Sequence, residues 1–324
     1  MSRTLASRIT RSASRQTYYT IRLLVDRRRI DDAYRAYAYF RWVDDVLDAE
    51  PAEGFSWNDA DRLASRRFVG RQRALLDACL RGEAPADVGP HEAMLVELVR
   101  HAGPGRAGLH AYLGHMMLVM EFDADRRGRL VSQAELDTYT HWLAIAVTEG
   151  VSDFVGGDGI PAHAALADTA PREDEARYLA ASGAHILHML RDTACDLQAG
   201  YVNVPREVLD QHGIGPGDVL SDAYRAWVRS RVQLARAHLD AGRAWLARAP
   251  NPRYRLAGSA YIARFEWLIP TLEREDFRLR PAYPEAKSLA AAVQMGGSVL
   301  TGMSGLGGWG RPAAPATAAR ERRS

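Results

Sequence analysis

The sequence predicts an all-α single domain, and three observations carry that reading. Long stretches without Gly or Pro repeat apolar and aromatic residues at helical spacing. Breaks such as GGDGIP and HGIGPGD separate those stretches, and no segment alternates apolar and polar residues long enough to argue a sheet. With 324 residues, 47% of them hydrophobic and 25% charged, the chain has enough apolar surface for one large core.

Taken in order, residues 1–13 place Arg3, Arg8 and Arg11 among Ser and Thr, with no acid before Asp26. A transit peptide shares that composition, but the remainder is equally arginine-rich, so the segment reads as a flexible bacterial N-terminus. The body of the domain spans 14–295. Its first marked helix is Asp31–Asp48, DDAYRAYAYFRWVDDVLD, in which residues 37, 41, 44 and 48 share one face. A helix from about 59 to 80 stops at Arg81-Gly82 and the PADVGP loop. Others are expected at about 91–101, 106–122, 133–155, 173–198, 218–248 and 254–275. From Gly296 the Gly/Ala/Arg-rich stretch to Ser324 lacks periodic apolar positions and reads as a disordered tail, Trp309 included.

Composition also excludes function classes. Lys+Arg is 42 against Asp+Glu 40, so the net charge of +2 gives no general field for nucleic acid. Lys287 is the single lysine. The rest are arginines, which reads first as a GC-rich coding bias on solvated helix faces. Cys79 and Cys195 form neither a disulfide framework nor a zinc spacing, consistent with a reducing cytoplasm. No apolar run nears the roughly 20 residues that span a bilayer, so membrane contact is at most peripheral.

Two acidic pairs carry the chemistry. In Arg41-Trp-Val-Asp44-Asp45-Val-Leu-Asp48, the carboxylates of Asp44 and Asp48 project one helical turn apart and repel unless a cation balances them. Alone, such a pair is best read as a solvated acidic face. A second copy, Arg191-Asp192-Thr-Ala-Cys195-Asp196, repeats the step and places 185, 188, 192 and 196 on one stripe. Hard oxygen donors of this kind suit Mg²⁺ bridged to substrate phosphates. Two such helices facing an apolar interior make a diphosphate clamp, with metal and arginine forks on the departing group and a dry aromatic pocket for the cation left behind.

YAYFRWVDDVLD and LRDTACDLQAGYVNVP resemble the two aspartate-rich motifs of the squalene/phytoene synthase family, and the resemblance runs from about Ser14 to Lys287. Supporting matches are Arg22-Leu23-Leu24, Asp123, Tyr139 and Tyr261. The resemblance implies an isoprenoid-synthase helical bundle around a central cavity. It implies Mg²⁺ held by Asp44, Asp48, Asp192 and Asp196, an allylic isoprenyl diphosphate braced by Arg22, Arg41 and Arg191, and a wall that includes Tyr37, Tyr139, Trp142 and Tyr261.

The second motif departs from the family pattern. The family's Gln and Asn positions are His185 and His188, its Glu is Cys195, and its Ser-Phe pair near the N-terminus is Gln16-Thr17. The equipment for ionising one diphosphate is kept, whereas positions that surround a second one are altered. That pattern is similar to squalene-synthase-like prenyltransferases acting on an aromatic, carbazole-type acceptor in alkaloid biosynthesis, with His185 and His188 facing the acceptor or taking its proton. The alternatives are neutral wall histidines in a head-to-head synthase joining two prenyl diphosphates, or a non-catalytic assembly factor, disfavoured because all four aspartates remain. Glu149 reads as a carboxylate at an exposed helix edge, Asp45 as a partner for an arginine, and Met116, Met117 and Met120 as core filler.

Overall fold

A computed structural model describes residues 2–49, 59–85, 87–103, 105–156 and 175–284. The tail expected at 296–324 lies outside them. The described chain runs through α1 (Ser2–Ala13), α2 (Arg15–Leu24), α3 (Ile30–Asp48), α4 (Asp59–Leu80), α5 (Glu92–Ala102) and α6 (Ala107–Arg126). It continues through α7 (Gln133–Phe154), α8 (Ala176–Gln198), α9 (Arg206–His212), α10 (Asp222–Arg248), α11 (Pro252–Glu266) and α12 (Leu268–Arg274). No strand occurs among the described residues, as the missing period-two pattern requires.

The start signals are local. Ser132 and Glu135 form a reciprocal capping box on α7, Ser14 and Ser221 cap α2 and α10, and Asn251 caps α11 with Pro252 in its first turn. Gly213, at φ 61°, ends α9 in the left-handed conformation that glycine adopts without strain.

Two boundaries correct the sequence reading. Residues 2–13 are not frayed: they form α1, which packs on α3 with Ala6 and Thr10 fully buried, while Arg35 of α3 donates to Ser2 Oγ at 3.2 Å. The stretch expected as one helix over 254–275 is two, broken at Trp267. Pro270 explains the break, because it has no N–H for the Glu266 carbonyl one turn back.

Tyr39, Leu95, Leu98, Leu113, Leu187, Leu190 and Leu239 are among the fully buried side chains of the core. Each such burial stabilises by about 1.5–3 kcal/mol. Helix α3 is buried nearly all round from Asp32 to Phe40, which is why its aromatic residues there do not fall on a single stripe, while its last two turns open a face at Arg41, Asp45 and Val46. Met117 and Met120 are core residues, as expected.

Helix α8 lies against α7, α10 and α11. Its crossing with α10 depends on two glycines. A Cβ on Gly242 would lie 2.5 Å from the Ala180 backbone N, and one on Gly183 would lie 2.8 Å from the Ala235 carbonyl O. Gly242→Ala is therefore expected to cost about 1–3 kcal/mol in urea unfolding, because overpacking two backbones outweighs the better helix propensity of Ala. An unchanged or raised stability would show that the helices part freely.

Candidate diphosphate and metal site

The two acidic pairs come from α3 and α8, and the structure ties them into one network through α6 and the loop after α8. On α3, Arg41 Nη1 donates to Asp44 Oδ2 at 3.1 Å and Nη2 to Asp45 Oδ1 at 2.5 Å, so Asp45 satisfies an arginine as expected. On α8, Arg191 forks onto Asp192 through Nε at 2.7 Å and Nη2 at 2.6 Å, and His188 Nε2 meets the same carboxylate at 2.9 Å.

The connection is made by Asp123 and Arg126 on α6. Arg126 donates from Nε to Asp123 Oδ1 at 2.7 Å and from Nη1 to Asn203 Oδ1 at 2.9 Å, and Asn203 Nδ2 donates to Asp196 Oδ2 at 2.6 Å. Tyr139 donates its hydroxyl to Asp123 Oδ2 at 3.1 Å. The buried Arg126 guanidinium lies over the rings of Tyr139 and Tyr201, 4.9 and 4.7 Å from their centroids. Its neighbour Arg127 donates to the carbonyls of Leu47 and Ala199, pinning the end of α3 to the end of α8.

The electrostatics single out the acids. Asp44 is pushed up to about 7, first by desolvation, then by the negative charges of Asp48 and Asp123. Asp48 is raised by desolvation and by Asp123, and Asp196 is pushed up to about 6, chiefly by desolvation. Asp192 goes the other way: desolvation opposes its charge, but Arg191 and His188 hold the carboxyl well below the usual range. As they stand, no three acidic, His or Cys groups among the described residues converge into a ready-made metal cluster. The donor set itself fits a divalent cation. Asp44, Asp48 and Asp123 repel one another, as do Asp192 and Asp196, and these carboxylate oxygens could take a divalent cation whose charge would relieve both repulsions.

A pH dependence follows. The folded-state values of Asp44 and Asp196 lie above the unfolded carboxylate value. Their contribution to stability is thus fully present below about pH 4 and lost as pH rises through 6 to 7. Thermal unfolding in EDTA is expected to show this domain losing stability between pH 5 and 8, with added Mg²⁺ restoring it at pH 8. A flat EDTA profile across that interval would show that the acids do not repel.

Behind the acids lies a ring series. His185 is buried, with its centroid 5.1 Å from Tyr139 and 6.3 Å from His188, which packs in turn on Phe265 at 5.6 Å. Phe265 contacts Tyr261 at 5.6 Å, and Tyr261 borders a small cluster of Ala144, Ile145, Tyr178 and Ala181. Neither ring nitrogen of His185 has a partner among the described residues, and desolvation followed by the charge of His188 keeps it neutral.

Not every expected residue joins. Arg22 is exposed at the end of α2, where its charge bears on Tyr34, and among the described residues it is not bonded to any of the four aspartates. Trp142 packs partly buried on the main core and outside the ring series. Tyr37 does join: the charges of Arg264, Arg41 and Asp44 all reach its phenol, which desolvation above all raises. Glu149 is a correction. It is 1% exposed rather than at an open edge, paired with the buried Arg177 at 2.9 Å and accepting from Tyr178 Oη at 2.8 Å.

Sequence reasoning missed Arg126, Arg127, Asn203, Tyr201 and Arg264. Tyr201 and Asn203 lie inside the stretch LRDTACDLQAGYVNVP, and that position was their one available signal. Arg126 had its i,i+3 spacing to Asp123, whereas Arg264 had no signal, because only the fold carries it to Tyr37 and Tyr261.

Comparison with known proteins bears on the family and the fold. Residues 10–289 match the family model for squalene/phytoene synthase. The chloroplastic phytoene synthase 3 of Zea mays is 24% identical over 296 residues, covering 87% of this chain, which spans 62% of that protein's length. The crystal structure of a dehydrosqualene synthase with a ligand superposes with a TM-score of 0.64 at 14% identity, covering 95% of this chain and 97% of the other. A ligand complex of TcSQS gives 0.62 at 16% identity, covering 97% and 94%. At these identities the superpositions speak for the fold. Among the described residues no helix is long and apolar enough to cross a membrane.

Proposed function

This chain belongs to the squalene/phytoene synthase family, and we propose that it is a Mg²⁺-dependent prenyltransferase that ionises an allylic isoprenyl diphosphate and joins the prenyl group to carbon of a small aromatic acceptor. The observation that carries the reading is the continuous link Asp123–Arg126–Asn203–Asp196, which sets the α8 pair in one assembly with the acids of α3. Asp44, Asp48, Asp192 and Asp196 would hold the metal, with Asp123 beside the α3 pair. Bound there, Mg²⁺ supplies positive charge to the leaving diphosphate.

The chain's own residues do the rest. Arg41 and Arg191 already fork onto motif carboxylates and present further N–H donors to phosphate oxygens. Arg22, exposed on α2, has only its basic charge to support its expected role. Tyr139 and Phe265 already have the guanidinium groups of Arg126 and Arg191 over their rings, and the neighbouring Tyr261 ring would offer its face to the carbocation. An aromatic acceptor must lose a proton to regain aromaticity, and His185, neutral and with both nitrogens unpartnered, is built to take it or to hydrogen-bond the acceptor. His188 is committed to Asp192 and acts as its positioning group.

A second reading, head-to-head condensation of two prenyl diphosphates, is favoured by the names of the relatives. Product analysis separates the two. The purified protein with Mg²⁺ is incubated with dimethylallyl, geranyl, farnesyl or geranylgeranyl diphosphate, with and without carbazole- or indole-type acceptors. The aromatic reading predicts prenylated acceptor and no C30 or C40 hydrocarbon; a hydrocarbon formed without acceptor would overturn it. His185→Phe is expected to lower coupled product about 10²-fold while diphosphate release persists. Equal loss of both would remove the proton-transfer role.

A further inference from the structure

On α2, apolar side chains and unpaired positive charge share one outward face. Residues 15, 19, 22 and 23 follow helical spacing along it, and all four are exposed. Leu23 is 72% exposed and Tyr19, one turn earlier, 52%. Arg15 and Arg22 flank them, and Arg27 and Arg28, exposed in the turn that leads to α3, carry the positive charge past the end of the helix.

None of these four arginines forms an ion pair among the described residues, in contrast to the outer face of α10, where Arg225, Arg229, Arg236 and Arg243 each meet an acid. Asp26 is the only acid in residues 1–30, and Arg253 of α11 takes it at 2.6 Å. A lone exposed leucine is ordinary. An exposed leucine and tyrosine bordered by four uncompensated guanidiniums are the elements of an interfacial helix, with apolar tips that enter a lipid layer and basic groups that meet its phosphates.

The opposite side of α2 faces the elements that build the site. Ile21 is buried, and Tyr18 stacks on Tyr34 of α3, 5.4 Å between centroids and one turn from Tyr37. Helix α11, which carries Tyr261 and Phe265, packs on α2, and its Arg253 donates to the Leu24 carbonyl at 3.5 Å.

We propose that the outer face of α2 and the turn after it dock this protein on a bilayer containing acidic phospholipid, with Leu23 and Tyr19 at the acyl boundary and Arg15, Arg27 and Arg28 on the lipid phosphates. Charge complementarity selects the partner, and the single leucine and tyrosine among the guanidiniums suit a fluid layer that closes around them. Docked in this way, the lipid lies against the helix that covers Tyr37, Phe265 and Tyr261, where an apolar prenyl chain would partition. Binding depends on the surface alone, so its failure would leave the proposed reaction untouched.

The test sediments the full chain with vesicles of phosphatidylcholine alone and of phosphatidylcholine containing about a third phosphatidylglycerol. The wild type is expected to pellet with the acidic vesicles only, and less as salt rises toward about 1 M. Arg27→Gln/Arg28→Gln is expected to weaken partitioning about fivefold for each charge removed, and Leu23→Gln about tenfold or more. Arg22 is left intact because it is also a candidate for the diphosphate. The altered side chains are exposed, so both variants should keep the wild-type melting temperature and the wild-type rate of diphosphate release from dimethylallyl diphosphate in solution. The proposal fails if the wild type binds neither vesicle, if it binds phosphatidylcholine alone as tightly, or if the variants bind like the wild type. Self-association in sedimentation equilibrium that Leu23→Gln abolishes, without vesicle binding, would give the face to a second copy and overturn the lipid assignment.

Discussion

Asp44→Asn is expected to lower the rate of diphosphate release from an allylic isoprenyl diphosphate by about 10²–10³-fold while raising the melting temperature of the metal-free protein at pH 8. The two effects share one cause. Asp44 is the carboxylate pushed furthest up by desolvation and by Asp48 and Asp123, so its charge costs the fold what it offers a cation. Asp45→Asn is the internal control. That side chain points to Arg41 and solvent, and its loss should cost only a few-fold, in the range of an exposed ion pair. Equal losses for Asp44→Asn and Asp45→Asn, measured as released diphosphate at saturating Mg²⁺, would remove the first motif from the clamp.

The largest expected effect on stability lies at the other end of α7. Glu149 and Arg177 are 1% and 5% exposed and form a buried ion pair that Tyr178 completes. Glu149→Ala strands the guanidinium in the interior and is expected to cost about 3–5 kcal/mol in urea unfolding. The double change Glu149→Leu/Arg177→Met, which removes both charges, should recover most of that loss. If the double variant is as unstable as the single one, packing and not charge sets the cost. The pair lies ten residues from Tyr139 on α7, roughly 15 Å along the helix, well clear of the acids.

These residues show what a sequence discloses and what it withholds. Asp44/Asp48 and Asp192/Asp196 were legible because helical geometry alone puts residues four apart on one face. Helix existence was legible for the same reason over 59–80 and 133–155, where the structure places α4 and α7 within a residue or so of expectation. The helix at 2–13 was not, because arginine-rich segments look solvated until a partner helix such as α3 accepts their few apolar contacts. Arginine was misjudged more broadly. Coding bias explains the pairs on the outer face of α10, Arg225, Arg229, Arg236 and Arg243, with Asp222, Asp276, Glu273 and Glu266. Arg35, Arg126, Arg127 and Arg177 are instead buried, each bonded inside the domain. Nothing in composition separates the two groups, since tertiary contact alone brings Asn203 to Arg126, 77 residues away in the chain.

Asp123 makes the same point for the site. Its i,i+3 step to Arg126 is legible on one helix, but its bearing on both α3 acids and its bond from Tyr139 come only with the fold. Glu149 was misplaced for the converse reason. A single carboxylate in an apolar run reads as an edge residue until Arg177, from a different helix, is found against it.

A crystal structure of the full chain with Mg²⁺ and an allylic thiolodiphosphate, an analogue that resists ionisation, tests the central claim most directly. The account predicts metal density between the carboxylates of Asp44 and Asp48 on one side and Asp192 and Asp196 on the other. The diphosphate should contact Arg41 and Arg191, and the prenyl chain should run past Tyr139 toward Tyr261. Diphosphate and metal bound away from either aspartate pair would contradict it.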